Sequence, residues 1–303
     1  MPEQRFKPVH DDLDDGFRYI PGQGLVDAVN MTLVLHRPLL VKGPPGCGKT
    51  RLAKAIADQL SVPIYNWYVK STSRAQDGLY SIDVVRRLQD AHPGKEKAQS
   101  LIPYLRFGAL GQAIRSGEEC VVLIDEIDKA DIDFPNDLLR ELDLMEFTIE
   151  ELDPTSLTEE EKPQGHRREY KAHRPPIVII TSNDEKELPD AFLRRCLFCY
   201  IDFPEPRQLE RIVRANLDRG QVDAALISNA GQLLSRFRSL KELRKLPATS
   251  ELIDWVRILL HWDIAAEALQ SDMPLAAAPF WQVLFKYRED QRRVEDESAA
   301  TTP

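Results

Sequence analysis

A glycine-rich segment of this chain has the residue types and spacing needed to bind a phosphate chain. It follows a short apolar run at 38–41 and precedes apolar residues at helical spacing over 51–60. Glycines let backbone N–H groups curl around a phosphate, and the N-terminus of a following helix adds positive potential. We predict a phosphate site in which Lys49 reaches the phosphates and Thr50 is a ligand of Mg²⁺. Its members are Gly43, Pro44, Pro45, Gly46, Cys47, Gly48, Lys49, Thr50 and Arg51.

Two consecutive carboxylates follow a second apolar run at 121–124. A parallel strand delivers the residue after it to the carboxyl edge of the sheet, where such sheets bind their ligands. We expect Asp125 to orient Mg²⁺ and Glu126 to polarise an attacking water as a general base. Acidic pairs in this position also serve as helix N-caps, but the phosphate loop upstream favours the catalytic interpretation.

A third apolar run, at 177–180, ends in polar residues. Asn183 follows it and has an amide that can hydrogen-bond both a γ-phosphate and a water. A turn or cap residue would look the same in isolation. Its position after a third core strand predicts a role at the same site.

Alternation of strand and helix patterns predicts an α/β fold with a parallel five-stranded sheet between helices, followed by an all-helical region. We expect a flexible arm at 1–18, an α/β core at 19–204, an all-helical region at 205–290 and a disordered tail at 291–303. Helices are predicted at 24–36, 206–218, 222–237 and 248–269. Residues 70–104 and 146–175 break the core pattern and are interpreted as inserts, the second a hairpin.

The amino-acid composition argues against a disulfide-rich protein and against a membrane protein. The 303 residues carry 40 basic and 49 acidic side chains, a net charge of −9, and residues 118–161 alone carry −15. Four cysteines are too few for a disulfide framework, and no apolar run is long enough to span a bilayer. We expect a cytoplasmic protein without membrane attachment. Cys196 and Cys199 have zinc-like spacing, but they lack companion ligands and are interpreted as structural thiols.

These motifs, in this order, resemble an AAA+ ATPase, and within that superfamily the chain is most similar to the MoxR-like group. The resemblance covers about residues 20–270 and includes GPPGCGKT, VVLIDEID, the IITSN strand and PDAFLRRCLF. It implies Mg²⁺-dependent ATP hydrolysis at sites between neighbours in a hexameric ring. It also implies a chaperone-like remodeller that activates or matures a protein or metalloenzyme client, often with a partner carrying a von Willebrand factor A domain.

The resemblance assigns further residues. Arg195 matches the position of an arginine finger that acts on the neighbouring subunit, and Arg194 is a second candidate for this contact. Tyr19 and Ile20 lie where related ATPases pack apolar groups against adenine, although ordinary core packing would also explain them. A lid arginine of the group is expected at the position of Glu251, which cannot replace it.

Several features keep alternatives open. Arg244 or Lys245 could substitute for the missing lid arginine, and four polar residues of the first insert could line a ring pore or simply be exposed: Ser71, Thr72, Arg74 and Gln76. A basic run at 162–174 raises the alternative of an AAA+ motor or loader on nucleic acid. The run is short, has one aromatic residue and accompanies an acidic stretch, so we favour pairing within or between subunits. A monomeric small-molecule kinase is a third class, but it leaves Arg195 and the lid without roles.

Overall fold

The computed structural model of the chain describes residues 6–7, 19–90, 100–153, 166–217 and 223–301. Its contacts divide into two compact units. The first contains residues 23–42 and 49–200 with the N-terminal Phe6 and Lys7; the second contains 19–22, 43–48 and the described residues from 201 onward. Most of the predicted arm at 1–18 and the middle of the second insert at 154–165 lie outside the described residues.

A five-stranded parallel sheet forms the centre of the first unit. The strands are β1 (Leu39–Lys42), β2 (Ile64–Tyr68), β5 (Val121–Asp125), β8 (Ile177–Ser182) and β9 (Leu197–Tyr200). Their order in the sheet is β2-β5-β8-β1-β9. Every residue of β5 and β8 is buried, as expected for parallel strands covered on both faces. The predicted fold class is therefore confirmed.

Helices pack along this sheet because their apolar residues recur at helical spacing. Helix α1 (Gln23–Leu35) contacts β9, α2 (Lys49–Leu60) contacts β5, and α4 (Ala109–Ser116) contacts β2. Short helices complete the unit: α3 (Val84–Asp90), α5 (Phe134–Asp137), α6 (Leu139–Leu144) and α7 (Asp190–Leu193). The buried members of α2 include Leu52, Ala53 and Ile56, which form one face of the helix.

A small antiparallel pair is associated with each insert. In the first insert, β3 (Tyr80–Ile82) pairs with β4 (Leu105–Phe107), which lies just beyond the predicted end of the insert at 104. In the second insert, β6 (Glu146–Thr148) pairs with β7 (Glu169–Lys171). The hairpin predicted for the second insert is therefore present in its described residues. Ring contacts join the inserts, with centroids 5.2–6.3 Å apart among Tyr80, Phe107, Phe147 and Tyr170. The sequence pattern predicted two independent inserts, whereas in the structure their aromatic side chains pack into one cluster.

The second unit is helical, with α8 (Pro206–Ala215), α9 (Ala224–Ser239), α10 (Thr249–His261) and α11 (Arg288–Thr301). Its core contains Phe237, Trp255 and Trp281, whose rings are in contact. The helix predicted over 248–269 ends earlier, at His261, because Asp263 adopts a left-handed conformation with φ 49°. Short 3₁₀ turns follow it.

The disordered tail predicted for 291–303 is wrong for its described residues, which continue α11 through Thr301. The helix has little apolar content, but Val294 is fully buried. Asp290 is 1% exposed and accepts hydrogen bonds from the backbone N–H groups of Arg244 and Lys245, at 2.7 and 3.2 Å. Ser298 accepts one from Ala276 N at 2.9 Å. Polar side chains that satisfy buried backbone groups anchor this helix, and composition alone does not reveal such anchoring.

In the described part of the chain, the helices are too short or too polar to cross a membrane.

Replacing either of two helical glycines with alanine should change the free energy of unfolding in opposite directions. A Cβ on Gly111 in α4 would lie 1.9 Å from the Leu79 carbonyl oxygen, whereas one on Gly231 in α9 would meet nothing within 4 Å. We expect Gly111→Ala to lower the free energy of unfolding by about 1–3 kcal/mol through overpacking. Gly231→Ala should raise it by about 0.5–1 kcal/mol through helix propensity. Denaturant unfolding of both variants measures this, and a stabilised Gly111→Ala would contradict the close approach.

Candidate nucleotide-binding and hydrolysis site

The glycine-rich segment connects β1 to α2 and has a backbone that requires glycine. Gly43, Gly46 and Gly48 have φ of 155°, 80° and 95°. A Cβ on Gly46 would also lie 2.7 Å from Ser250 Oγ, so both conformation and space exclude a larger residue. Lys49 begins α2 and is 6% exposed. The local structure predicted from this motif, a strand followed by a glycine loop and a helix, is present.

The adenine candidates lie in the second unit with the loop. Tyr19 is 8% exposed, and its Cε2 would be 3.1 Å from a Cβ on Gly48. The Ile20 carbonyl accepts a hydrogen bond from Gln208 Nε2 at 3.3 Å. The structure thus brings Tyr19 beside the loop and fixes Ile20 through the start of α8.

Asp125 ends β5 as a buried carboxylate, 7% exposed. Its Oδ1 accepts hydrogen bonds from Thr50 Oγ1 at 2.9 Å and from Thr181 Oγ1 at 2.7 Å. The structure therefore joins the two predicted Mg²⁺ ligands, Thr50 and Asp125, although they are 75 residues apart. Carboxylate and hydroxyl oxygens are hard donors of the kind that Mg²⁺ prefers, so this donor set fits that ion.

Glu126 turns away from Asp125 because its backbone is left-handed, with φ 59°. Its Oε1 accepts a hydrogen bond from Asn183 Nδ2 at 2.8 Å, and its Oε2 pairs with Lys129. The hydrogen bond with Glu126 raises the pKa of Lys129. Two consecutive carboxylates thus have different partners, one on the Thr50 side and the other on the Asn183 side.

Three residues of this site were missed by sequence reasoning. Thr181 uses one hydroxyl to donate to Asp125 and to accept from the Glu126 N–H at 2.8 Å. Asp128, 2% exposed, accepts from the backbone N–H groups of Asn183 and Glu185, and so fixes the loop after β8. The third is Lys129. A hydroxyl within an otherwise apolar strand was the available signal for Thr181, and three-residue helical spacing from Glu126 was the signal for Lys129.

The candidate arginine fingers lie at the end of α7. Arg195 Nε donates to Asp143 Oδ2 at 2.6 Å, and its Nη1 donates to the Ala191 carbonyl at 2.9 Å. Arg37 donates to the carbonyl oxygens of Arg194 and Arg195. The side chain of Arg195 is 40% exposed.

Glu251 has a structural role within the helical unit. It is 7% exposed and accepts hydrogen bonds from Ala248 N and Ser250 Oγ, at 3.1 and 3.0 Å, at the start of α10. Burial alone would raise its pKa, but these hydrogen bonds and Lys245 outweigh burial and lower the pKa. Lys245 Nζ is 3.7 Å from Glu251, and the Arg244 guanidinium lies 4.0 Å from the Tyr287 ring centroid. Both alternatives to a lid arginine are therefore engaged inside their own unit.

The remaining candidates are less constrained. The possible pore residues Ser71, Thr72, Arg74 and Gln76 are all exposed. Burial raises the pKa of the Cys196 thiol to about 12, so it is protonated at neutral pH and is a poor metal ligand. No group of three or more His, Cys, Asp or Glu residues suited to a metal ion occurs in the described part of the chain.

The parallel sheet, its flanking helices and the C-terminal helices define an AAA+ P-loop core followed by a helical region. The sequence profile of the "ATPase family associated with various cellular activities (AAA)" matches residues 39–203, just over half of the chain. The chain belongs to this family.

Individual proteins similar to this chain share a low sequence identity with it. The denitrification regulatory protein NirQ of Stutzerimonas stutzeri is 27% identical over 232 residues, which cover 73% of this chain and 72% of NirQ. The chaperone protein ClpB of Enterococcus faecalis is 36% identical over 119 residues, or 36% of this chain and 12% of ClpB. The ribosome biogenesis ATPase RIX7 of Saccharomyces cerevisiae is 27% identical over 161 residues, or 52% and 15% of the two chains. This chain therefore spans only a small part of ClpB and RIX7.

The bridging hydroxyl of Thr181 gives a stability prediction. Thr181→Val keeps the shape but leaves Asp125 and the Glu126 N–H each short of a buried partner, so we expect a loss of about 1–3 kcal/mol in the free energy of unfolding. Thr32→Val is the matched control, because Thr32 is equally buried and its hydroxyl bonds only the Ala28 carbonyl within α1. Denaturant unfolding compares them. Equal stabilities for the two variants would contradict the bridging role.

Glu251 gives a pH prediction. Because its pKa is lowered from the ordinary 4.5 in the folded state, its ionised form stabilises the helical unit above pH 4.5. That contribution is lost as the pH falls through the lowered pKa. The stability difference between wild type and Glu251→Gln should therefore be largest above pH 4.5 and shrink below it. Thermal unfolding across pH measures this, with the exposed Glu267→Gln as control; a difference that grows on acidification would contradict the assignment.

Proposed function

We propose that this protein is a Mg²⁺-dependent ATPase of the MoxR-like group that forms a ring and remodels a protein client. Membership of the AAA family supports nucleotide hydrolysis. The observation that carries the proposal is the divergence of Asp125 and Glu126. One carboxylate contacts Thr50 at the start of α2 and the other contacts Asn183 after β8.

In this proposal the loop Gly43–Gly48 and Lys49 bind the phosphates of ATP. Backbone N–H groups and the N-terminus of α2 supply the positive potential that a polyphosphate requires. Thr50 and Asp125 would hold Mg²⁺, whose charge offsets that of the β- and γ-phosphates. The Thr181 hydroxyl keeps Asp125 oriented towards Thr50. Tyr19 and Ile20 are the proposed contacts to adenine, and Arg51 flanks the phosphate loop.

Glu126 is the proposed general base. Its carboxylate accepts a proton from the attacking water, and Asn183 fixes one carboxylate oxygen through its amide. Lys129 pairs with the other oxygen. Asn183 thus contacts the proposed base, and its proposed second contact is the γ-phosphate.

Arg195 is proposed to complete the site of a neighbouring subunit, with Arg194 as a second contact. A guanidinium that reaches the transferred phosphoryl group stabilises its developing charge, which is worth about 10³–10⁵ in rate in related systems. This requires a head-to-tail ring, and we propose a hexamer. Because Glu251 serves α10 itself, coupling of the helical lid to nucleotide must use other groups.

The client and partner follow from the resemblance. We propose a chaperone-like role in activating or maturing an enzyme or metal centre, together with a partner that carries a von Willebrand factor A domain. Similarity to a denitrification regulatory protein over nearly three quarters of both chains supports a regulatory role, and similarity to ClpB supports remodelling of protein. We also propose that residues 19–204 form the ATPase domain and 205–290 the lid, in a cytoplasmic protein.

Glu126→Gln tests the catalytic assignment. The amide cannot accept the proton, so we expect ATP binding to persist while kcat falls by about 10²–10⁴-fold. Glu118→Gln is the control, because Glu118 is an exposed carboxylate just before β5. Nucleotide binding and phosphate release measure both variants. Normal turnover in Glu126→Gln would contradict the assignment.

The same variant tests the client. With ATP it should retain bound client, and recovery of a von Willebrand factor A protein would support the MoxR-like assignment. ATPase activity stimulated by DNA or RNA, but not by protein, would favour the nucleic-acid motor instead. Full activity as a monomer would contradict the ring.

A further inference from the structure

Asp143 holds the side chain that we propose as the arginine finger. It lies in α6, fifty-two residues before Arg195, and its Oδ2 is 2.6 Å from Arg195 Nε. Charge-assisted hydrogen bonds of this length are among the stronger polar contacts in proteins, and they have directional preference. Asp143 therefore sets the direction in which the guanidinium points.

The backbone beneath the finger is also held. Arg37 follows α1 and donates to the carbonyl oxygens of Arg194, Arg195 and Cys196. These carbonyls follow α7, which ends at Leu193, so Arg37 holds the main chain that carries both candidate arginines. With Arg37 on the main chain and Asp143 on the side chain, Arg195 is constrained at both ends.

The hydrogen bonds of Arg195 leave one terminal amino group available. Nε donates to Asp143 and Nη1 donates to the Ala191 carbonyl. Within the described residues, Nη2 has no hydrogen-bond acceptor. Two of the guanidinium nitrogens are thus held while Nη2 is left for an incoming phosphate oxygen, and less side-chain entropy is lost on that contact than for an unrestrained arginine.

The ion pair between Arg195 and Asp143 contributes too little to folding stability for that to explain its presence. The side chains of Arg195 and Asp143 are 40% and 43% exposed. Ion pairs that exposed contribute little to folding, since solvent screens them. Loss of the Asp143 charge should therefore leave folding nearly unchanged, which separates a positioning role from a structural one.

We propose that Asp143 is a positioning residue that orients Arg195 toward the γ-phosphate bound by the neighbouring subunit. This inference rests on the proposed function, specifically on Arg195 as a finger that acts in trans. Asp143 itself does not touch the nucleotide. Its effect should appear in the neighbour's turnover and not in the nucleotide affinity of its own subunit.

Mixed rings test this directly. Arg195→Ala subunits have an intact nucleotide site but no finger, and Lys49→Ala subunits supply a finger without hydrolysing ATP themselves. Three donors are compared in the Lys49→Ala background: no further change, Asp143→Asn, and Asp137→Asn as an exposed aspartate control from the preceding helix, α5. Each is mixed with Arg195→Ala subunits, and kcat and KM for ATP are measured.

We expect the unmodified and Asp137→Asn donors to restore turnover equally. The Asp143→Asn donor should restore a kcat about 10–100-fold lower, with KM little changed, as for a misplaced catalytic group. Asp143→Glu should recover part of the loss. Thermal unfolding and ring assembly of Asp143→Asn should match wild type.

The other possible outcomes would each overturn the proposal for a different reason. Full rescue by the Asp143→Asn donor would overturn the positioning role while leaving the finger assignment intact. Failure of the unmodified Lys49→Ala donor to rescue would overturn the trans finger, and the role of Asp143 with it. A loss explained by unfolding or failed assembly of Asp143→Asn, with no partial recovery in Asp143→Glu, would assign Asp143 a structural role and overturn the proposal.

Discussion

A single buried hydroxyl links the two acidic residues on which the proposed chemistry depends. Thr181 donates to Asp125 and accepts from the backbone of Glu126, so it fixes where β5 ends and how the chain turns beyond it. This contact exists because β5 and β8 are parallel neighbours, with Ile124 opposite Ile180 in the ladder. The left-handed backbone of Glu126 then directs its side chain to Asn183. Strand register therefore determines the separation of the two carboxylates into distinct surroundings.

The acidic segment at 118–161 has a structural explanation that net charge alone did not provide. Two of its carboxylates pair with basic residues of the second insert: Glu150 with Arg168 at 3.1 Å, and Glu146 with Lys171 at 3.2 Å. Another, Asp143, pairs with Arg195. Ion pairs between this acidic segment and basic residues of the same unit therefore bridge the two sides of the hairpin and hold the candidate arginine finger. Arg168 and Lys171 belong to the basic run that raised a nucleic-acid alternative, and both are paired within the molecule.

Sequence and structure agree best where a residue's role follows from local chain geometry. The phosphate loop, its strand and its helix were predictable because glycine spacing and apolar periodicity act over a few residues. The tail at 291–303 was not, because the helix there is stabilised by Asp290 and Ser298, which satisfy backbone groups far away in sequence. Likewise, the two inserts interrupted the pattern separately, whereas their aromatic rings pack together.

The sequence by itself determined the α/β class, the phosphate motif and the identities of Lys49, Thr50, Asp125, Glu126 and Asn183 as candidates. Only the tertiary structure decided which of them meet. It added Thr181, Asp128 and Lys129 around them, and Asp143 and Arg37 beside Arg195. Hydrogen bonds between residues 50 to 160 positions apart depend on strand order and register, which no local pattern specifies. The role of Glu251 at the start of α10 likewise depends on burial and partners that its residue type does not reveal.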